Sequence, residues 1–263
     1  MPDAPPHPIA TRFAQIMAAL RAAVAIAAGP PPLGGPLVLR LRRPLAPNLA
    51  VRLHQRLGKM MQVFAALVDA LPPSSIHSAF VSHQDPDIAS SLPLWNACNN
   101  DIVWHTSRLW VGFIRHYGAL DANIQGIPDE GVELELGSAR LQAIPAHYLH
   151  SSANFQLYDP QAKVLFSGDV GAALLPAGHD AFVSRREVDS PKAFDEHIRH
   201  AEYFHKRWMP SNEAKRDWCE RVSRLDIDFL CPQHGAIYTG ENVQRFIDWF
   251  AQLDVGSAIA PRK

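Results

Sequence analysis

Cysteine is scarce in this sequence, and the few cysteines show no pairing pattern. Cys98, Cys219 and Cys231 are an odd number and form no CxxC motif. A disulfide framework and a thiolate zinc site both need paired cysteines. We therefore exclude both and expect a protein of the reducing cytoplasm.

The sequence also lacks long apolar runs and an excess of charge of one sign. The segment 13–28 is interrupted by Arg21 and falls short of the ~20 apolar residues that a membrane span needs. The formal net charge is −1 and the basic residues are dispersed, so no track for a phosphate backbone is apparent. We expect neither a membrane nor a nucleic acid as partner.

The 263 residues are 47% apolar, enough for one large core. Residues 1–54 form an atypical Pro/Ala/Arg-rich segment, residues 55–252 an orderly domain and residues 253–263 a tail. Three interpretations of the first segment stay open: an element that closes a sheet edge, a poorly ordered arm, or text from a shifted reading frame. Within 55–252, strand-like runs alternate with helix-like runs, which predicts a layered α/β fold.

Four predicted strands end in a side chain that can bind a metal. FVSH ends at His83, YLH at His150, FSGD at Asp169 and CPQH at His234. Taken singly, each has an ordinary explanation as a turn or surface residue. Because strand ends and the loops after them collect functional residues in layered folds, four such ends together indicate one site.

The first strand end carries a cluster of ligand types, His83-Gln84-Asp85-Pro86-Asp87. Alternate side chains of an extended segment point to the same side, so three of these residues can converge. The alternative is an acidic turn in which Asp85 or Asp87 caps the following helix.

Together these motifs resemble the diiron domain of the flavodiiron proteins, a branch of the metallo-β-lactamase superfamily. The phrases SHQDPDIASSLP, LHSSANFQLYD, VLFSGDVGA and LCPQHG match its motifs, with 62, 18 and 64 residues between successive ligand positions from Asp87 onward. The resemblance implies a metallo-β-lactamase αββα sandwich that holds two metal ions. It implies that His83, Asp85 and His150 bind one ion, that Asp87 and His234 bind the other, and that Asp169 bridges them.

The ligand set favours iron or manganese over zinc; we expect two iron ions, with zinc and manganese as the alternatives. Hydrolytic relatives carry H-x-H-x-D-H, whereas this chain has Asp85 at the second His position and Ile88 at the last. A carboxylate in place of an imidazole makes the site harder, which suits a redox metal. Two departures from the family pattern bear on this site. Asp85 replaces the usual Glu and is one methylene shorter, and Ile88 removes a histidine beside the second metal.

The resemblance implies that O2 or NO is bound as a sensory signal, or is reduced with electrons from a separate flavoprotein or rubredoxin. We expect no bound flavin, because no flavin-binding motif is present, and the relatives suggest a homodimer. The alternatives are a dinuclear hydrolase of an ester, thioester or lactone and a metal-free interaction scaffold. Whether the protein is an enzyme stays open.

His147, three residues before His150, is a further candidate that could hydrogen-bond a metal ligand from behind. A solvent-facing strand residue is the alternative. We expect three more histidines, His197, His200 and His205, to lie on a solvated helix, and Trp104, Trp110, Phe113 and Tyr117 to lie in the core.

Overall fold

The computed structural model describes residues 76–136, 139–175 and 187–257. The sequence also predicts helices at 10–28 and 57–71, and the family resemblance implies a loop at 174–183 near the metal site. Both helices and most of the loop lie outside the described residues. The described part contains six helices: α1 (Pro86–Ala89), α2 (Leu92–Cys98), α3 (Val111–Arg115), α4 (Pro191–Trp208), α5 (Asn212–Val222) and α6 (Glu241–Gln252).

Ten strands form two sheets in the described residues. They are β1 (Ser78–Phe80), β2 (Val103–Ser107), β3 (Asn123–Ile127), β4 (Val132–Leu136), β5 (Ala139–Pro145), β6 (Phe155–Asp159), β7 (Val164–Gly168), β8 (Glu187–Val188), β9 (Phe229–Pro232) and β10 (Ile237–Thr239). One sheet has the order β1-β2-β3, and the other has the order β4-β5-β6-β7-β9-β10-β8.

The seven-stranded sheet mixes antiparallel and parallel pairs. Strands β4 to β7 form an antiparallel meander, and β7 then pairs with β9 in parallel. In that parallel pair Leu165 lies opposite Leu230 and Gly168 opposite Pro232. The carboxyl ends of β7 and β9 therefore lie side by side, which places the residues that follow them at one edge.

The α/β class predicted from the sequence is confirmed, and the element bounds differ at several points. Strands β3, β8 and β10 were not predicted because they are short and carry no clear alternation of apolar and polar residues. The helix predicted from Ile88 is divided into α1 and α2 around Ser90 and Ser91. Of the aromatic residues predicted as core, Trp104 is buried but Phe113 is 59% exposed.

The described residues form two compact units. The first comprises residues 76–79, 85–104 and 114–123, and includes α1 and α2. Its buried side chains include Ile88, Leu92, Trp95, Ile102 and Trp104.

The second unit comprises residues 80–84, 105–113 and the described residues from 124 onward, and it contains the large sheet and α4 to α6. Its main core packs the helices on β7, β9 and β10, with Phe246 and Phe250 of α6 fully buried. Each such ring stabilises the fold by about 1.5–3 kcal/mol. The buried Lys215 donates from Nζ to the carbonyl oxygens of Ala251 and Leu253, and so caps the end of α6.

Polar side chains begin helices α4 and α5. Ser190 accepts a hydrogen bond from the Ala193 N–H, and Ser211 accepts one from the Ala214 N–H, as N-cap residues do. Among the residues that the structure describes, no helix combines the length and apolar character that crossing a bilayer would require.

Candidate metal centre

His83 follows β1, and backbone hydrogen bonds hold the two residues that precede it. The Val81 N–H donates to the His105 carbonyl at 2.8 Å, and the Phe155 N–H donates to the Ser82 carbonyl at 3.0 Å. The His83 ring is buried, and its Nδ1 lies 3.0 Å from Ser82 Oγ. This bond leaves Nε2 to face Asp169.

His150 lies in the tight loop between β5 and β6. The Tyr148 N–H donates to the Ser151 carbonyl at 2.7 Å, and Asn154 Nδ2 donates to the Leu149 carbonyl. These bonds fix the backbone on either side of the His150 ring. The ring then meets Phe204 of α4 edge to face, with 6.1 Å between centroids.

Asp169 sits in a turn that directly follows β7. Gly168 precedes it with a φ of 55°, a region that favours glycine. The Val170 N–H donates to the Ser167 carbonyl at 3.0 Å, and the Ala172 N–H donates to the Asp169 carbonyl at 3.2 Å. The turn buries the Asp169 carboxylate, whose side chain is only 6% exposed.

His234 follows β9, the strand beside β7. The Gln233 N–H donates to the Gly168 carbonyl at 2.7 Å, and the Ala173 N–H donates to the His234 carbonyl at 3.2 Å. The two turns are thus bonded to each other directly. The His234 side chain is 44% exposed, so it lies at the outer rim of the site.

The three histidines converge on the carboxylate of Asp169. Its Oδ2 lies 2.9 Å from His150 Nε2 and 3.3 Å from His83 Nε2, and its Oδ1 lies 3.8 Å from His234 Nε2. One ligand atom from each of His83, His150 and Asp169 lies within 4.8 Å of the others. The two oxygens of one carboxylate therefore face different histidines.

The histidines control the ionisation of Asp169. Burial raises the pKa of this carboxyl, but hydrogen bonds from His150 and His83 and the charges of His83 and His234 outweigh burial. The net effect is a pKa well below the usual value. Asp169 is therefore a carboxylate, the form that binds cations.

Asp85 and Asp87 belong to the first unit. Asp85 precedes α1 in an extended conformation and its side chain makes no capping hydrogen bond to that helix. Asp87 is exposed in the first turn. In the same unit, burial raises the pKa of Tyr117, and the negative charges of Asp85 and Asp87 raise it further. The structure thus gives no support to the alternative in which Asp85 caps α1.

His147 occupies a different position from the one predicted for it. Its Nε2 donates to the Asp129 carbonyl at 2.8 Å, and its ring meets Phe155 edge to face at 5.2 Å. Within the described part of the chain, no hydrogen bond joins His147 to His150. His147 binds the chain before β4 and is half-buried rather than solvent-facing.

Two buried histidines on α4 were missed by the sequence analysis. His205 is fully buried and His197 is 7% exposed, so the prediction of a solvated helix is wrong for both. His205 Nε2 accepts the Gly171 N–H at 2.9 Å, and His197 Nε2 accepts the Ala236 N–H at 3.4 Å. The apolar residues buried along with them on the same helix, Phe194, Ala201 and Phe204, were the available signal.

The residues of the second unit fit a metal ion. Asp169 Oδ1 is a buried oxygen atom that accepts no hydrogen bond within the described residues. A buried acceptor of this kind costs free energy unless something binds it. Imidazole nitrogens and carboxylate oxygens are also the ligands that iron and zinc take in proteins. The site therefore has the donor types and the unsatisfied acceptor that a metal would bind.

Comparisons with known proteins identify relatives for most of the chain. A family model described as ODP family beta lactamase matches residues 57–235. A solved structure of the peroxy diiron species of chemotaxis sensor ODP is similar at 36% identity and a TM-score of 0.64, covering 74% of this chain and 77% of that chain. The apo state of chemotaxis sensor ODP from T. denticola is similar at 36% identity and a TM-score of 0.64, covering 79% of this chain and 80% of that one.

More distant relatives share the fold or a shorter stretch. The flavodiiron protein from Giardia intestinalis is 20% identical with a TM-score of 0.65, over 73% of this chain and 45% of that chain. An uncharacterized protein of Methanocaldococcus jannaschii is 30% identical over 126 residues, which are 47% of this chain. The matched stretch spans only 30% of that curated relative's length.

Proposed function

Because this chain belongs to the ODP family, whose model covers residues 57–235, we propose that it is a non-haem diiron protein that binds O2 as a sensor. The metallo-β-lactamase fold and the flavodiiron-like resemblance predicted from the sequence are confirmed. The function rests on 36% identity to chemotaxis sensor ODP over about three quarters of both chains, against 20–23% to the flavodiiron neighbours. We place this chain nearer to the sensor than to the oxidoreductases.

The observation that carries the proposal is the arrangement around Asp169. Its Oδ2 faces His83 and His150, whereas its Oδ1 faces His234 at 3.8 Å. A carboxylate whose two oxygens face different histidines is placed to bridge two ions. A site for a single ion would not need the second oxygen to be buried beside a third histidine.

We assign His83, Asp85 and His150 to one ion and Asp87 and His234 to the other, with Asp169 shared. The assignments of Asp85 and Asp87 come from their places in the family motif, two and four residues after His83. With Asp169 shared, each ion would have both imidazole and carboxylate ligands, a mixture that suits non-haem ferrous iron. A ferrous pair held there would supply the electrons with which the site binds O2.

The protein's own residues create the conditions for that binding. His83 is 1% exposed and Leu149 and Val170 are fully buried, so the inner half of the site excludes water. In a dry site the attraction between carboxylates and cations is stronger than at the surface. Before an ion enters, His150 Nε2 donates a hydrogen bond to Asp169 Oδ2. This nitrogen must lose its proton to bind a metal.

His234 is the most accessible of the four convergent residues. Its side chain is 44% exposed, while those of His83 and Asp169 are 1% and 6% exposed. A small ligand from solvent would therefore arrive on the His234 side. Several expectations stay predictions. They are iron as the metal, the absence of flavin, NO as an alternative ligand, a flavoprotein or rubredoxin donor, a homodimer and a cytoplasmic location.

The test is anaerobic purification followed by metal analysis and by optical and EPR spectra before and after O2 or NO. We expect about two iron ions per chain and a visible spectrum that changes on adding O2. Asp169→Asn should lower the affinity for iron by about 100-fold or more, because the amide cannot bridge two cations as a carboxylate does, and losing an outer-shell partner alone costs about 10–100-fold. The matched control is Asp217→Asn, which changes an exposed carboxylate on α5.

The result that contradicts the proposal is equally direct. Two zinc ions, a spectrum indifferent to O2 and turnover of an ester or thioester would establish the hydrolase alternative. Iron content that is the same in Asp169→Asn and Asp217→Asn would show that Asp169 does not bridge.

A further inference from the structure

Helix α4 carries two buried imidazoles that bind the backbone of two different turns. His205 Nε2 accepts the Gly171 N–H at 2.9 Å, two residues after Asp169. His197 Nε2 accepts the Ala236 N–H at 3.4 Å, two residues after His234. Helix α4 therefore hydrogen-bonds to both of the turns, the one that carries Asp169 and the one that carries His234.

A hydrogen bond and three aromatic rings hold the His205 ring in place. Its Nδ1 donates to the Ala201 carbonyl at 2.7 Å, which fixes the tautomer and leaves Nε2 as an acceptor. The rings of Phe250, Trp249 and Phe246 surround it, with centroids 5.0, 5.7 and 5.9 Å away. A rigid acceptor in this position fixes where the Gly171 N–H can lie.

His197 is similarly enclosed. Its ring packs edge to face on Tyr238 with 5.5 Å between centroids. A Cβ on Gly235 would come within 3.0 Å of His197 Cε1. The turn after His234 thus lies directly on this imidazole.

Further backbone bonds join the turns and the helix. The Ala173 N–H donates to the His234 carbonyl at 3.2 Å, and the Leu174 N–H donates to the His200 carbonyl of α4 at 3.0 Å. The two turns and α4 therefore form one hydrogen-bonded assembly, which sets the 3.8 Å between Asp169 Oδ1 and His234 Nε2.

We propose that His205 and His197 are positioning residues that hold Asp169 and His234 at the separation needed to bind the second metal ion together. The inference rests on the proposed function, since it concerns the same site. Neither histidine needs to touch the metal. Each acts through a backbone N–H, and misplacing the ligands by an ångström is enough to weaken a site.

The test compares three variants of the full chain. His205→Phe keeps an aromatic ring in the cage but removes the acceptor, and His205→Gln restores an acceptor oxygen. Phe250→Leu is the matched control, because it weakens the same cage without touching Gly171. The measurements are ferrous-ion affinity by anaerobic competition with a chelator, and amide hydrogen exchange of Gly171 in the metal-free protein.

We expect His205→Phe to lower ferrous-ion affinity by about 10–100-fold and to speed exchange at Gly171 by about 10-fold or more. His205→Gln should recover most of both. Phe250→Leu should reduce stability but change affinity by less than about 3-fold.

The proposal is overturned if His205→Gln behaves like His205→Phe, or if Phe250→Leu weakens affinity as much at the same loss of stability. Failure of the proposed function looks different, because the unaltered protein would then bind no ferrous ion. In that event the exchange measurement still decides the positioning role: unchanged exchange at Gly171 in His205→Phe rejects it, and faster exchange supports it.

Discussion

At the scale of single residues, the neutral imidazole of His205 has a consequence for stability. Burial lowers the pKa of His205 to about 4 from its ordinary value of 6.5, although its hydrogen bond to Ala201 and the charge of Asp169 act in the opposite direction. The folded state therefore favours the neutral imidazole of His205. The unfolded chain has no such requirement.

We expect the stability of the metal-free protein to fall as pH drops from about 6.5 to about 4. In that window the unfolded chain binds a proton that folded His205 does not, so unfolding becomes easier by up to about 1.4 kcal/mol per pH unit. In His205→Gln this contribution is absent. Relative to wild type, the variant should therefore gain about 2 kcal/mol between pH 7.5 and pH 5, measured by urea unfolding with chelator present.

The control for this effect is His116→Gln, which changes an exposed histidine. Its stability difference from wild type should stay nearly constant over the same range. A His205→Gln difference that is equally constant would mean that folding leaves the pKa of His205 unshifted.

At the scale of elements, the turn after β7 depends on glycine at one position. Gly171 has a φ of 94°, and a Cβ there would lie 3.1 Å from Leu230 Cδ2 and 3.3 Å from Tyr238 Cε2. Both neighbours are buried core side chains with little room to move. The turn that carries Asp169 therefore lies against the core through a residue without a side chain.

We predict that Gly171→Ala lowers the free energy of unfolding by about 2–4 kcal/mol, from backbone strain and overpacking together. It should also weaken ferrous-ion binding, because the turn must shift. Gly240→Ala is the matched comparison, since Gly240 has a φ of 56° but nothing within 4 Å of the added Cβ. Gly240 lies outside the left-handed helical region, because its ψ is −131°, so the added Cβ should cost about 1–3 kcal/mol from backbone strain alone. Equal losses in chemical unfolding would show that crowding at Gly171 is unimportant.

At the scale of the whole molecule, folding and metal binding should be linked. The proposed ligands are spread along the chain from His83 to His234, so the unfolded chain offers no preformed site. An ion that binds only the folded state adds about 2.7 kcal/mol of stability at one hundred times its dissociation constant. The metal-free protein should be correspondingly less stable.

We therefore expect anaerobic ferrous ion to raise the Tm by about 5–11 °C at that saturation, and a chelator to reverse the increase. Asp169→Asn should show little of this shift. Differential scanning fluorimetry under anaerobic conditions measures it, with magnesium as the control ion. A shift of the same size in Asp169→Asn would place the stabilising ion elsewhere.

Much of the site could be predicted from the sequence because its signals are local. An apolar run followed by His or Asp with Gly close by indicates a strand that ends at a candidate ligand, as at Asp169 and His234. The spacing of these strand ends is what resembles the family, and the family resemblance predicts the fold. The short strands β3, β8 and β10 carry no such local signal, because neighbouring strands decide their pairing.

The sequence by itself determined the types and order of the candidate ligands and the α/β class, since these follow from residue chemistry and from periodicity along the chain. Only the tertiary structure decided that the two oxygens of Asp169 face different histidines and that His205 and His197 bind the turns from behind. The bonds of His205 to Gly171 and of His197 to Ala236 join residues 34 and 39 positions apart. No pattern along the chain specifies such pairs, because they exist only when the packing of α4 brings them within hydrogen-bond distance.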